Sequence, residues 1–305
     1  MKSKNLALVA GIAGLVLFYA CAKNATPAPP IHDTVTVHKT DTLTKTDTFL
    51  KPVDTPNLKN GLVLYLNFNG SFADSSGNGS TVTAIGGATL DYDMHGYSQS
   101  AFNSTGNGAR LIVANNGVYK VDTAFSLSFD FMIHANAYYS GGGNYDGLMS
   151  FLSITNTTNG NGPTFNIGLT VPGMPQNFTF GINSGTSDCS TSGVTNPQNL
   201  TDTTSFIPQV GSWYNAICTF TKGSASVYIN GKLVNTKIGS LGTALFCPSA
   251  NFVVGGWWNS SPENINGKLD EVRMYNRTLN AKEISWLSRN FQPSSTKVRA
   301  TPVTR

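Results

Sequence analysis

Between residues 125 and 133 every second position carries a large apolar side chain: Phe125, Leu127, Phe129, Phe131 and Ile133. A helix would spread these five around its axis, whereas a strand places them on one face. Such a face must be covered by a second layer, so this run calls for a packed β-sheet. Shorter apolar runs recur at 61–68, 148–154, 164–171, 178–182, 213–221, 226–229, 251–254 and 267–275. Asn230-Gly231 separates Val227-Tyr228-Ile229 from Lys232-Leu233-Val234. Two residues that tolerate positive φ between two apolar runs are the signature of a tight hairpin. Only 281–289 reads as helical, with Ile284 and Leu287 one turn apart. Many short strands and turns, with no alternating helices, predict an all-β sandwich or barrel.

Not all of the 305 residues belong to that fold. Lys2 and Lys4 precede an uncharged apolar run, 6–20, that ends at Ala20-Cys21. The run is short for a membrane span and right for a signal-peptide core. Residues 1–20 are therefore read as a signal peptide, and the placement of Cys21 resembles a bacterial lipobox, with Cys21 as the lipidated first residue. An ordinary signal peptide or an uncleaved anchor is the other reading. Residues 21–59 carry Pro27, Pro29, Pro30, Pro52 and Pro56 and repeated Asp-Thr pairs, the composition of an extended tether. That leaves 60–291 as one β domain and 292–305 as a polar tail. Between 60 and 280 there are eight Lys/Arg and eleven Asp/Glu, so the positive net charge of the whole chain (+4) lies in its ends. The domain has no basic stripe with interleaved aromatics, which argues against nucleic acid as a partner.

Three motifs in chain order resemble one family. Leu64-Tyr65-Leu66-Asn67-Phe68-Asn69-Gly70 with Phe72-Ala73-Asp74-Ser75-Ser76-Gly77-Asn78-Gly79 is similar to the opening of laminin-G-like jelly rolls of the concanavalin A-like superfamily. Trp213-Tyr214-Asn215-Ala216-Ile217, then Val227 to Val234, resembles their central hairpin, and Gly267 to Leu279 with Glu283-Ile284 resembles their closing strand. The resemblance implies two stacked antiparallel sheets of about fourteen strands, with first and last strands side by side. It does not fix a function, because the fold hosts lectins, adhesins, hydrolases and lyases.

Glycosidases of this fold need paired carboxylates on one face of a strand. The chain has three glutamates, Glu263, Glu271 and Glu283, and no Glu-x-Asp-x-x-Glu. Asp270 and Glu271 are sequence neighbours, so regular alternation would send them to opposite faces. Asp91, Asp93, Asp130 and Asp146 could serve a hydrolase only if the fold gathered them. His95 and His134 are the domain's histidines, and no nucleophile elbow or metal helix accompanies them. The expectation is a protein that is not an enzyme.

Asp74 lies in a Gly-rich turn that could aim carbonyl oxygens at a hard cation, with Asp270 as a second carboxylate. The resemblance points to the same two positions as a structural calcium site. Alternatively, Asp74 caps its own turn and Asp270 accepts from backbone amides. With Cys21 lipidated, Cys189, Cys218 and Cys247 remain; Cys218 sits in a buried-strand context, which leaves Cys189–Cys247 as the expected disulfide. Sugar recognition needs flat aromatic faces with amides and carboxylates around them. Three segments have that makeup: 138–146, 255–259 and the long connection 183–205. Tyr139, Tyr145, Trp258 and Asn259 are the candidate ligand contacts, Trp258 being preferred to Trp257 by alternation from Val253 taken as core-facing. The leading expectation is a lipid-anchored, monomeric bacterial cell-envelope lipoprotein that binds a glycan or an envelope surface protein. A divergent glycan hydrolase or lyase, and a purely structural envelope protein, stand as alternatives.

Overall fold

The structure, a computed structural model, describes residues 55–105, 108–120, 123–134, 146–151, 164–170, 177–187, 194–244, 251–256 and 264–291. Among them the strands follow as β1 (Leu62–Leu66), β2 (Val82–Ile85), β3 (Thr89–Asp91), β4 (Ala101–Thr105), β5 (Arg110–Val113), β6 (Ala124–Ile133), β7 (Asp146–Phe151), β8 (Phe165–Leu169), β9 (Phe178–Ser187), β10 (Val194–Thr203), β11 (Trp213–Thr221), β12 (Ser224–Ile229), β13 (Lys232–Ile238), β14 (Phe252–Val254) and β15 (Asn266–Tyr275). A helix, α1 (Ala281–Leu287), and a 3-10 turn at Arg289–Phe291 follow. One sheet has the order β13-β12-β11-β6-β15-β4-β3, with β1 also paired to β15; the other runs β10-β9-β8-β7-β14-β5-β2. This is a two-sheet jelly-roll sandwich, as the family resemblance implied, and the first and last strands do lie side by side.

The apolar faces meet between the sheets. Phe125 stacks on Phe165 of the facing sheet at 5.0 Å between ring centroids, and Phe131 meets Phe178 at 5.8 Å. These rings are fully buried. Each contributes on the order of 2–3 kcal/mol by leaving water. The hairpin between β12 and β13 turns as its sequence demands: Asn230 and Gly231 have φ of 50° and 77°. Cys218 is a buried free thiol, as its strand context implied.

The structure corrects two details. The 183–205 segment is largely not a loop, because β9 and β10 run through it as an antiparallel pair. Its Ser, Thr, Asn and Gln side chains carry no apolar alternation, so the strands are invisible to pattern. At β14, Phe252 pairs with Val113 and Val254 with Leu111, both core residues, while Val253 pairs with Ile112 on the other face. Phe252 packs on Phe165 inside the sandwich. The Val253 side is therefore the outer one, so the premise that Val253 faces the core does not hold; Trp257 and Trp258 themselves lie outside the described residues.

The polar side of β6 is not left to solvent. Ser126, Ser128 and Asp130 are all buried. The chain after β15 folds back over them: Ser126 Oγ donates to the Arg277 carbonyl and accepts from Leu279 N–H. Helix α1 then lies on this outer face, with Ile284 and Leu287 packed against Ile217, Tyr228 and Tyr275. Its start is fixed by a capping box between Asn280 and Glu283. Arg277 clamps the same Glu283 through both carboxylate oxygens, at 2.6 and 2.8 Å.

Candidate functional site

Where β6, β11 and β15 run side by side, three polar residues fall in one row: Asn215 opposite Asp130, and Asp130 opposite Asp270. Their neighbours Phe129 and Phe131 point into the core, so this row points out, toward the end of α1. Asn215 is held from three sides. Its Nδ2 donates to Asp130 Oδ1 at 2.8 Å, its Oδ1 accepts from Ser288 Oγ at 2.9 Å, and its backbone N–H donates to Asn230 Oδ1. The row is thus locked to both the hairpin turn and the helix end.

Beside it β15 is irregular. The register shifts between Asp270 and Arg273, and Glu271 adopts φ of 53°. A bulge of this kind inserts one residue into the ladder and re-aims a side chain. Asp270 Oδ1 accepts the Glu271 N–H at 2.7 Å and so fastens the bulge from within. The Glu271 carboxylate receives the Tyr65 hydroxyl on both oxygens at 3.0 Å and pairs with Arg273, whose guanidinium lies 4.1 Å over the Tyr65 ring. The consequence overturns a simple expectation. Asp270 and Glu271, although adjacent in sequence, line the same cavity.

That cavity encloses about 390 Å³. Its floor is Asp130, Asn215 and Asp270; its walls include Asp93, His95 and Tyr97 from one loop, and Trp286, Arg289 and Asn290 from the end of α1. The volume is that of a small-molecule pocket. The Asp93 carboxylate shapes its own loop by accepting from the backbone of His95 and Tyr97. Tyr97 is left 68% exposed, which makes its ring available to a ligand.

Burial dominates the electrostatics. Asp130 is pushed up to about 7, first by desolvation and then by the charge of Glu271, against the Asn215 hydrogen bond. Asp270 is pushed up to about 8 by desolvation, with Glu271, Asp130 and Asp93 adding to it. Both are only 6% exposed. Two carboxyl groups facing each other in a dry site cannot both ionise cheaply.

The expected calcium pair is not brought together. Asp74 Oδ1 accepts from Tyr65 and Ser76 N–H, and its Oδ2 from Ser76 Oγ and Ser80 N–H, at 2.9–3.2 Å. Four donors fill the carboxylate, and donors cannot share an oxygen's lone pair with a cation. Tyr65 uses its N–H and carbonyl on this side, toward Asp74 and Ser75, so β1 stands between the Asp74 loop and β15. Asp74 therefore caps its turn and Asp270 faces the cavity; the residues do not fit a calcium ion shared by the two. Among the described residues no three His, Cys, Asp or Glu side chains converge as metal ligands do. Of the other aspartates, Asp91 pairs with Lys268 at 2.9 Å on the sheet edge. His134, just past the central strand β6, bonds Asn103 at 2.9 Å. Tyr139, Tyr145, Trp258 and Asn259, the Cys189–Cys247 pair and Cys21 lie outside the described residues.

Sequence reasoning misses this site for a physical reason. Asp93, Asp130 and Asp270 are far apart in the chain, and only the strand order β11-β6-β15 gathers the last two. The bulge at Glu271 leaves no pattern that alternation could detect.

No curated protein sequence matches the chain. Among solved structures, it is similar to the binding domain of Paraclostridial Mosquitocidal Protein 1 (18% identity, TM-score 0.57, 76% of this chain and 53% of that one). It is also similar to the binding domain of botulinum neurotoxin DC, solved in complex with SialylT (20%, 0.51, 77% and 52%). The chain spans about half the length of these two binding domains. Domain 4 of AbnA, a GH43 extracellular arabinanase from Geobacillus stearothermophilus, solved in complex with arabinotriose, is covered almost whole (18%, 0.52, 74% and 98%). At these identities the likeness is one of fold. The model of one family, described as the concanavalin A-like lectin/glucanases superfamily, matches residues 114–285, from the connection before β6 into α1. More than half of the chain lies in that match, and the chain belongs to the concanavalin A-like lectin/glucanase superfamily.

Proposed function

We propose that this chain is a cell-envelope lipoprotein whose jelly roll binds glycan without cleaving it. The observation that carries the binding role is the cavity on the outer face of the β6–β15 sheet. It combines an exposed Tyr97 ring, buried carboxyl groups and side-chain amides in one concave site. Those are the groups that recognise a pyranose: an aromatic face for its apolar side and polar atoms for its hydroxyls. The fold neighbours support the same reading, since one was solved with arabinotriose and another with SialylT. A protein partner has support as a second reading, because a neurotoxin binding domain was solved with rat synaptotagmin II.

The electrostatics favour binding over hydrolysis. Glycosidases hold one carboxyl protonated and another ionised by giving them different environments. Here burial pushes Asp130 and Asp270 the same way. Glu271 is engaged by Tyr65 and Arg273 within the bulge of β15. The anchoring part of the proposal rests on the 6–20 apolar run and Cys21. Replacing Cys21 with Ser should move the protein out of the membrane fraction or leave its signal uncleaved; mature, lipid-labelled Cys21→Ser protein would refute it. A glycan array probed with the wild-type chain and with Tyr97→Ala tests the binding role. Hits that Tyr97→Ala loses support it, and an array without hits removes it.

A further inference from the structure

The cavity carries a charge problem that neutral sugar does not solve. Asp130 and Asp270 stand opposite each other on adjacent strands, each 94% out of solvent by residue area, since each is 6% exposed. Asp130 Oδ1 receives Asn215; Asp270 Oδ1 receives the neighbouring Glu271 N–H. Among the described residues neither Oδ2 atom receives a hydrogen bond, and both residues line the cavity. The nearby cations are committed elsewhere. Arg273 pairs with Glu271, and Arg289 lies 4.5 Å over the Trp286 ring and donates to the Trp286 carbonyl. A third carboxylate, Asp93, faces the same space. The last turn of α1 ends here too, and helix C-termini present carbonyl oxygens rather than N–H groups. A hydroxyl could bond to these acids in their neutral form, but only a cation would be favoured by all three.

Size and geometry narrow the class. The carboxyl groups do not converge as they would around a bare metal ion. About 390 Å³ is room for a polyatomic ligand. Tyr97 supplies a ring face at the mouth and Asn69 and Asn290 supply amides in the wall. Building on the glycan reading, we infer that the cavity selects sugars bearing a free amino group, the ammonium resting against Asp130 and Asp270 and the pyranose ring against Tyr97. The ammonium offers three donors, enough to satisfy both bare Oδ2 atoms. The raised carboxyl pKa values in the cavity then have a simple counterpart, since a bound ammonium would favour the ionised form and release a proton.

The test is calorimetric titration of the full chain in detergent, at neutral pH, with three tetrasaccharides: β-1,4-linked glucosamine, its N-acetylated form and cellotetraose. The expected result is glucosamine oligomer binding at least roughly tenfold tighter than either neutral oligomer. Asp130→Asn and Asp270→Asn keep shape and should erase that preference while the chain keeps its melting temperature or gains. Equal affinity for all three oligomers, lost in Tyr97→Ala, would overturn amine selection and leave the glycan reading standing. Binding of none would overturn amine selection, while the glycan reading, which covers other sugars, is decided by the array. Tighter binding of an oligolysine peptide, or stabilisation by Ca²⁺ that Asp270→Asn abolishes, would overturn the inference in favour of a protein amine or a metal ion.

Discussion

Asp130 and Asp270 face each other across β6 and β15, and each is almost wholly buried on the outer side of a sheet whose inner side is packed with phenylalanine. A buried acid whose folded pKa is raised favours the fold in its protonated form. Below the unfolded value of about 4 it has no effect. As pH rises toward the folded value the unfolded state ionises first, and stability falls.

The purified chain should therefore melt at higher temperature at about pH 5 than at about pH 8. The loss accrues from the unfolded value of about 4 up to about 7 for Asp130 and about 8 for Asp270. Asp202, also raised by burial, acts in the same direction. Asp130→Asn should recover roughly 2–4 kcal/mol at the alkaline end, because an amide of the same shape has no charge to be stripped of water. Melting curves at both pH values for wild type and Asp130→Asn check this; a wild-type melting temperature that rises toward pH 8 would contradict it.

Asp74 works in the opposite sense. Hydrogen bonds from Ser76, Ser80 and Tyr65 hold its carboxyl below the usual range against the cost of burial. Its contribution is present above the unfolded value and fades as pH falls below it. Asp74→Ala should cost about 1–3 kcal/mol, since several backbone N–H groups lose their acceptor. A chelator should leave the melting temperature of wild type unchanged. A chelator effect that Asp74→Ala abolishes would restore the calcium site.

Helix α1, whose end forms one wall of the cavity, is tied down by an ion pair as well as by packing. Arg277 grips both oxygens of Glu283, which also closes the capping box of α1. Glu283→Gln should destabilise by roughly 1–3 kcal/mol and loosen the helix from Tyr275 and Ile217. Hydrogen exchange of the Ile284 and Ser288 amides reads this directly: they should exchange faster in the variant. Unchanged exchange would show that packing of Ile284 and Leu287 alone holds the helix.

Much of this architecture is legible in the sequence. Phe125 to Ile133 alternates because one face meets the other sheet, and Asn230-Gly231 declares its hairpin because few other pairs accept positive φ twice. β2, β3, β4, β5 and β10 are not legible: they are short, or polar on both sides, so their pairing is decided by neighbours rather than by pattern. The candidate site is hidden for a related reason. Ser126, Ser128 and Asp130 look like a solvent face, and only the chain from Arg277 to Phe291 folding back makes that face an interior. The bulge at Glu271 depends on a local side-chain bond from Asp270 that no periodicity reports.

The cavity over Asp130 and Asp270 is proposed to bind glycan and leave it intact. The most direct measurement is calorimetric titration of the strongest array hit into wild type and Tyr97→Ala, with the recovered ligand analysed by mass. Saturable binding by wild type is expected, and at least roughly tenfold weaker binding by Tyr97→Ala at equal melting temperature. The recovered ligand should be of unchanged mass. Equal affinity in the two proteins, or shortened oligosaccharide in the recovered ligand, would contradict the proposal.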